Sequence, residues 1–143
     1  MKYFEDEKHL LHNEDIDTLH KEFLDIYNGV DITDDNSYRT YLIKLYEHSK
    51  IHFRIEEELM DESGYRTSKE HKDEHCKVLA EMNYFINLSQ NRFGINMLKA
   101  YYKEKIPHWF DLHLISMDSD LSHHLKNTPL KGTKCLVTQH YNG

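Results

Sequence analysis

The chain has 143 residues, the length of one domain with a single hydrophobic core. Its 25 acidic and 18 basic residues give a formal charge of -7, which would repel nucleic-acid phosphates and argues against a nucleic-acid partner. Residues 1–10 lack the apolar core of a signal peptide, and no stretch approaches the roughly 20 apolar residues of a membrane span. Two cysteines do not indicate a disulfide framework. We therefore expect a soluble, cytoplasmic protein.

Long helices are expected because the chain contains only 5 glycines and 2 prolines, too few for the turns of a many-stranded sheet. Apolar residues recur at helical spacing in four segments, at about residues 16–29, 38–61, 68–91 and 95–124. The connections between them are short, which implies antiparallel neighbours. The sequence therefore predicts an all-α fold, an up-and-down antiparallel four-helix bundle that forms one domain over residues 1–143, with its core at about 16–124.

The segment boundaries follow from local signals. Gly64, at the end of ESG, is predicted to stop the second helix, and Gly94 to separate the third helix from the fourth. Pro107 removes a backbone donor and is predicted to kink the fourth helix. Residues 1–15 are predicted to form an arm laid on the bundle, and residues 125–143 an irregular tail.

Histidine is the commonest metal ligand and also a pH switch, and this chain contains 12 histidines. Every predicted helix carries at least one on its apolar face: His20, His52, His71 with His75, and His113. His71 and His75 are four residues apart, which allows both to bind one metal ion. The other histidines, in the arm, in the tail or off the apolar face, are expected at the surface: His9, His12, His108, His123, His124 and His140.

The stretch HFRIEEELM, residues 52–60, contains three consecutive glutamates. Residues four apart on an α-helix differ by only about 40° in direction, so Glu56 shares the inner face with His52. Glu57 lies about 140° and Glu58 about 120° from His52, and both are predicted to face solvent.

One inward histidine is commonly a hydrogen-bonded core residue. Five of them with an inward glutamate would cost several kcal/mol without partners, and a metal centre removes that cost. Imidazole and carboxylate ligands without an inward cysteine suit iron, manganese or zinc, and six or seven ligands exceed the four of tetrahedral zinc. Two metal ions that share bridging carboxylates fit best.

These motifs resemble the hemerythrin family, particularly the single-domain bacterial hemerythrins, over about residues 16–121. The matching stretches are IDTLHKEFLDIYN (16–28), HFRIEEELM (52–60), GYRTSKEHKDEH (64–75) and WFDLHLISMD (109–118). The resemblance implies a di-iron site in which His71, His75 and His113 complete one iron and His20 and His52 hold the other. Glu56 and Asp118 would bridge the two irons together with a solvent-derived oxygen.

The resemblance further implies reversible binding of dioxygen, for transport, storage or scavenging, at an open position on the iron held by His20 and His52. Motif position selects four candidates for an apolar pocket around it, with ordinary core packing as the alternative for each: Phe53, Trp109, Phe110 and Leu114. No catalytic residue is predicted, and a monomer is expected. Two alternatives stay open: an enzyme on the same site, with peroxidase, oxidase, nitric-oxide or iron-handling activity, or an oxygen sensor that acts through a separate partner.

Three side chains near the predicted site are ambiguous. Asp118 is selected by the resemblance, although it lies about 140° from His113 on an ideal helix, and Asp120 is nearly in line but about 10.5 Å further along. A local π-turn or the bend at Pro107 would aim Asp118 inward. Asp17 either accepts a hydrogen bond from the ring of His20 or is an exposed first-turn carboxylate. His48 either adds a hydrogen bond near the site or is a satisfied core histidine.

Overall fold

The computed structural model describes residues 2–128, which are almost entirely helical and contain no β-strand. The first four helices are α1 (Asp6–His9), α2 (Glu14–Asn28), α3 (Asp35–Ser63) and α4 (Ser68–Ile86). The all-α prediction is therefore confirmed. The predicted irregular tail is wrong at its start, because helix continues to Lys126, and its remainder from residue 129 onward, with His140, lies outside the described residues.

The last helical stretch alternates between two kinds of helix. It consists of α5 (Arg92–Ala100), a first π-helical segment (Tyr101–Lys105), α6 (Ile106–His113), a second π-helical segment (Leu114–Asp118) and α7 (Ser119–Lys126). Pro107 is the second residue of α6, two residues after the first π-helical segment ends, where a continuous α-helix would need the N–H that proline lacks. The fourth predicted helix is thus two residues longer at its C-terminal end than expected and twice interrupted.

Side chains and a glycine set several of the helix ends. The side chain of Asn13 caps α2 by accepting a hydrogen bond from the Ile16 N–H, and Asp34 caps α3 in the same way. Gly64 ends α3 in the left-handed conformation, with a φ of 65°, which glycine adopts at little cost. The predicted stop at ESG is therefore where α3 ends.

The boundary between α4 and α5 differs from the prediction. Helix α4 ends at Ile86 rather than near Asn91, because Asn91 caps the next helix and accepts a hydrogen bond from the Gly94 N–H. Gly94 lies inside α5 and does not separate two helices. A Cβ atom at this position would overlap the carbonyl oxygen of Ser89, so the glycine permits a close approach of the backbone.

The Gly94→Ala substitution is expected to destabilise the protein by about 1–3 kcal/mol, because the new methyl group must displace the Ser89 backbone. In an ordinary helix the same change stabilises by up to about 1 kcal/mol. Urea unfolding measures the difference, with Asn96→Ala on the exposed side of α5 as the control that should not destabilise. A stabilising Gly94→Ala would contradict the close approach.

Helix α3 is the longest element and packs against α2, α4, α5 and α7. The largest apolar cluster draws on α2, α3, α4 and the last helical stretch, and its buried members include Phe23, Leu42, Phe53, Tyr102 and Phe110. Over residues 2–128, no helix is both long and apolar enough to cross a lipid bilayer.

The N-terminal residues are held on the helices by polar contacts that converge on Asp111. The Asp111 carboxylate oxygens lie 2.9 Å from three side-chain nitrogens: Nζ of Lys2, Nζ of Lys8 and Nε2 of His9. The expectation that His9 lies at the surface is wrong: its side chain is fully buried, because it packs against Phe110 as well as binding Asp111. Partial burial alone would raise the pKa of Asp111, but these three partners lower it to about 2.

The Asp111→Asn substitution is expected to reduce the free energy of unfolding by about 1–2 kcal/mol at neutral pH, since the ion pairs are partly screened by solvent. The carboxyl pKa is lower in the folded chain, so this stabilisation is present above about pH 4 and is lost as the pH falls towards about 2. Unfolding measured at pH 7, 4 and 2 should show the difference between variant and wild type shrinking. Asp73→Asn, which removes an exposed pair with Lys69, should change little at any pH.

Candidate metal centre

The structure brings all seven predicted metal ligands together in the interior. Helix α2 provides His20, α3 provides His52 and Glu56, α4 provides His71 and His75, α6 provides His113, and the second π-helical segment ends at Asp118. They form two overlapping groups, within each of which the ligand atoms lie no more than 4.8 Å apart: Glu56, His71, His75, His113 and Asp118, and His20, His52, Glu56 and Asp118. Only the two carboxylates belong to both groups.

Glu56 turns its two oxygens to different histidines. Its Oε2 lies 2.6 Å from His52 Nε2 and 3.9 Å from His20 Nε2. Its Oε1 lies 3.2 Å from His75 Nε2 and 3.7 Å from His71 Nε2. A carboxylate whose oxygens face two separate sets of nitrogen donors is placed to share one oxygen with each of two cations.

Asp118 is divided in the same way. Its Oδ2 lies 2.8 Å from His20 Nε2, while its Oδ1 lies 2.9 Å from His71 Nε2 and 3.2 Å from His113 Nε2. The His71 and His113 Nε2 atoms are themselves only 3.2 Å apart. All five imidazoles thus direct Nε2 at the two carboxylates.

The electrostatics of the cluster favour a cation. Burial would raise the pKa of Glu56 and of Asp118, but the neighbouring imidazoles hold both pKa values below their usual range, so both carboxylates are ionised. Burial disfavours a charged His113, yet Asp118 and Glu56 raise its pKa. Within residues 2–128, Glu56 Oε1, Asp118 Oδ1 and His75 Nε2 form no hydrogen bond of acceptable geometry, although Asp118 Oδ1 lies 2.9 Å from His71 Nε2 and Glu56 Oε1 lies 3.2 Å from His75 Nε2. Metal ions coordinated here would satisfy these buried atoms, so the residues fit a metal centre.

The second π-helical segment explains how Asp118 enters the cluster. The Ser119 N–H donates to the Leu114 carbonyl five residues earlier, and this wider turn brings Asp118 inward, to 1% exposure. Asp120 is exposed instead and accepts a hydrogen bond from the Tyr65 hydroxyl. An ideal-helix wheel misplaces both residues because it omits this turn.

The prediction that Glu57 faces solvent is wrong. Its side chain is only 31% exposed, and its Oε2 lies 2.9 Å from Nδ1 of His75, whose ring N–H donates to it. A carboxylate in this position fixes the ring of a metal-binding histidine and increases its basicity. The spacing within α3 gives no signal for this contact, because a side chain about 140° from the inner face can lie beside α4 or face water.

The two other ambiguous residues have clear roles. Asp17 is buried and accepts a hydrogen bond from the Leu11 N–H at 2.9 Å, so it neither orients His20 nor lies exposed. His48 Nε2 lies 3.2 Å from the Leu19 carbonyl oxygen. Burial, with a smaller contribution from His52, lowers the pKa of His48 to about 3, which keeps the ring neutral and matches a satisfied core histidine.

The four predicted pocket residues line one cavity beside the cluster. Phe53, Trp109, Phe110 and Leu114 enclose about 10 Å³ together with Phe23 and the ligands His20, His52, His113 and Asp118. This volume is close to that of one water-sized probe. Phe23, which is not among the four predicted pocket residues, stacks on Phe110 with ring centroids 4.9 Å apart. Phe23 lies three residues after His20, and this spacing is the feature of the sequence that indicates a position beside the cluster.

Two aromatic stacks support ligand histidines. Phe53 lies parallel to the His75 ring with centroids 3.9 Å apart, and Trp109 stacks on His113 at 4.6 Å. The Trp109 Nε1–H donates to Glu74 Oε1 at 3.0 Å, which fixes the indole. These contacts on the ring faces restrict the rotation of both imidazoles.

The fold and the site together define an all-helical protein with a buried histidine and carboxylate cluster that could hold metal ions. Comparison with protein-family models, with curated proteins and with solved structures found no match to this chain. The geometry of the cluster and the residues around it therefore provide the basis for assigning a function.

Proposed function

We propose that this chain is a hemerythrin-like non-haem di-iron protein that binds dioxygen reversibly. The observation that carries the proposal is the division of the Glu56 and Asp118 oxygens between two groups of imidazoles. An up-and-down antiparallel four-helix bundle belongs to the same proposal. It is supported by the packing of α3 against both α2 and α4 across the short connections 29–34 and 64–67.

Two iron ions fit the donor set. His71, His75 and His113 would hold one ion, His20 and His52 the other, and Glu56 and Asp118 would bridge them with a solvent-derived oxygen. Five imidazoles and two carboxylates exceed the four ligands of tetrahedral zinc. When bound, a pair of ferrous ions supplies the two electrons that dioxygen takes up.

The position for dioxygen is expected on the ion held by His20 and His52. The ligand group of this ion contains two imidazoles, whereas the group of the other ion contains three. His20 and His52 also both line the small cavity. The apolar walls Phe53, Phe110 and Leu114 would exclude water and anions from this position. The cavity volume of about 10 Å³ is close to that of one water-sized probe and leaves no room for an organic substrate.

The balance of ligands favours binding of dioxygen over its cleavage. Carboxylate-rich sites with Glu-x-x-His motifs are typical of ferritin-like di-iron proteins, and no such motif occurs in this sequence. Neutral imidazoles outnumber carboxylates by five to two in the cluster. Negative ligands stabilise the high oxidation states of iron that form when dioxygen is cleaved, so a site with few of them favours binding.

The test is to load the protein with Fe(II) without oxygen, admit dioxygen and record the visible spectrum. A charge-transfer band that appears with one dioxygen per two irons and disappears on deoxygenation is expected. Irreversible bleaching with substrate turnover would contradict the proposal and favour an enzyme on the same site. The Leu114→Phe variant, which fills the cavity wall, should retain iron and lose the band.

A further inference from the structure

A second, larger cavity lies outside the metal centre and shares no lining residue with it. It has a volume of about 420 Å³ and is formed by the end of α2, the following connection, the start of α3 and the first π-helical segment. Its principal wall residues are Tyr27, Val30, Ile32, Tyr38, Tyr102 and Lys103. A cavity of this volume is in the range of binding sites for small organic molecules.

Three tyrosines give the cavity a fixed aromatic wall. Tyr27 and Tyr102 are stacked, with ring centroids 4.7 Å apart and planes 7° apart, and Tyr38 meets Tyr102 edge-on at 5.5 Å. The Tyr102 hydroxyl donates to the Tyr27 carbonyl oxygen at 2.7 Å and so locks its ring. Tyr38 and Tyr102 are only 1% exposed and hold the wall from behind, so the partly exposed Tyr27 ring is the preformed aromatic surface that another flat ring can contact.

Cationic side chains lie beside this apolar wall. The ammonium groups of Lys99 and Lys103 are 5.5 Å and 5.7 Å from the centroid of the Tyr38 ring. Lys99 is bound to Asp35 at 2.7 Å, whereas Lys103 is itself a wall residue of the cavity. In a chain with a net charge of -7, this local positive charge selects for an anionic ligand.

Two further observations distinguish the cavity from a packing gap. The Tyr38 hydroxyl is buried and has no hydrogen-bond partner within residues 2–128, which is uncommon for a buried polar group. Tyr102 and Lys103 both belong to the first π-helical segment, and π-turns occur frequently at functional sites. The second π-helical segment contains Asp118, which lines the small cavity beside the metal centre. Each of the two π-helical segments within residues 2–128 thus contains residues that line a cavity.

We propose that this cavity binds a small aromatic acid of one or two fused rings, with its ring against the tyrosine wall and its carboxylate at Lys103. The more accessible wall residues Tyr27, Val30 and Ile32 provide the apolar contact, and the ammonium group selects the acid over its neutral analogues. The binding does not involve the metal centre, so it is expected both with and without iron.

The test uses 2-naphthoate as the probe, titrated into the full chain and followed by protein NMR. Saturable one-to-one binding is expected, with the largest shifts at the Val30 and Ile32 methyl groups and the Tyr27 ring. The neutral analogue 2-naphthalenemethanol should bind about fivefold more weakly, and Lys103→Met should weaken naphthoate binding by about fivefold without affecting the alcohol.

Lys105→Met is the matched control, because Lys105 lies in the same π-helical segment, is equally exposed and does not line the cavity. It should leave naphthoate binding unchanged. Neither lysine is buried, so loss of folding does not confound the comparison. The proposal is overturned if naphthoate fails to saturate, if the shifts lie elsewhere, or if acid and alcohol bind equally and Lys103→Met has no effect.

Discussion

Asp118→Ala is expected to reduce the iron content of the loaded protein from two ions per chain to one or none, while Asp120→Ala retains both. Asp118 presents one oxygen to each histidine group, so its loss removes a ligand from both positions and leaves the His20, His71 and His113 nitrogens without their carboxylate. Asp120 is exposed and bound only to Tyr65 among the contacts described for it. Iron per chain, measured after anaerobic loading and desalting, gives the result.

Circular dichroism of the metal-free variants controls for folding, since both substitutions lie in the same helical stretch. If Asp118→Ala keeps two irons and Asp120→Ala loses one, the inward position of Asp118 does not correspond to metal binding. If neither variant loses iron, the cluster is not the metal site.

Glu57→Gln is expected to weaken metal binding by about 10–100-fold without removing any ligand. The Glu57 carboxylate accepts the Nδ1 hydrogen of His75 and so holds the ring with Nε2 facing Glu56. Glutamine keeps an oxygen acceptor but removes the negative charge that makes the imidazole more basic. Competition with a chelator for Fe(II), and for Zn(II) as a redox-inert probe, measures the affinity.

Glu58→Gln is the matched control, because it removes an identical charge from the adjacent position of α3. Equal affinities of the two variants would show that the charge of Glu57 acts only through the general field of the protein. A selective loss for Glu57→Gln would assign the effect to the bond with His75.

Much of the cluster could be predicted because helical geometry is local. The four-residue spacing of His52 and Glu56, and of His71 and His75, fixes each pair on one face whatever the rest of the chain does. Apolar neighbours show which face is buried. The inward position of His20 follows from the same pattern.

The errors arose where the outcome depends on another part of the chain. Glu57 was assigned to solvent because one helix alone does not show which side its neighbour covers. Asp17 was misjudged because its partner, the Leu11 N–H, belongs to a segment without helical periodicity. Gly94 was taken as a breaker, although its role depends on the path of the Ser89 backbone.

The second π-helical segment acts as a one-residue insertion in the last helical stretch. A π-turn spans one residue more than the α-turn it replaces, so every residue after it is rotated by about 100° relative to an uninterrupted α-helix. Asp118, five residues after His113, is therefore buried on the same side only because the π-turn absorbs one residue. Deletion of Ser116 would remove that residue, restore an α-turn and leave Asp118 four residues and Leu121 seven residues after His113, both still directed inward. Sequence alignments and designs that treat this stretch as one regular helix without the extra residue would place the wrong carboxylate in the cluster.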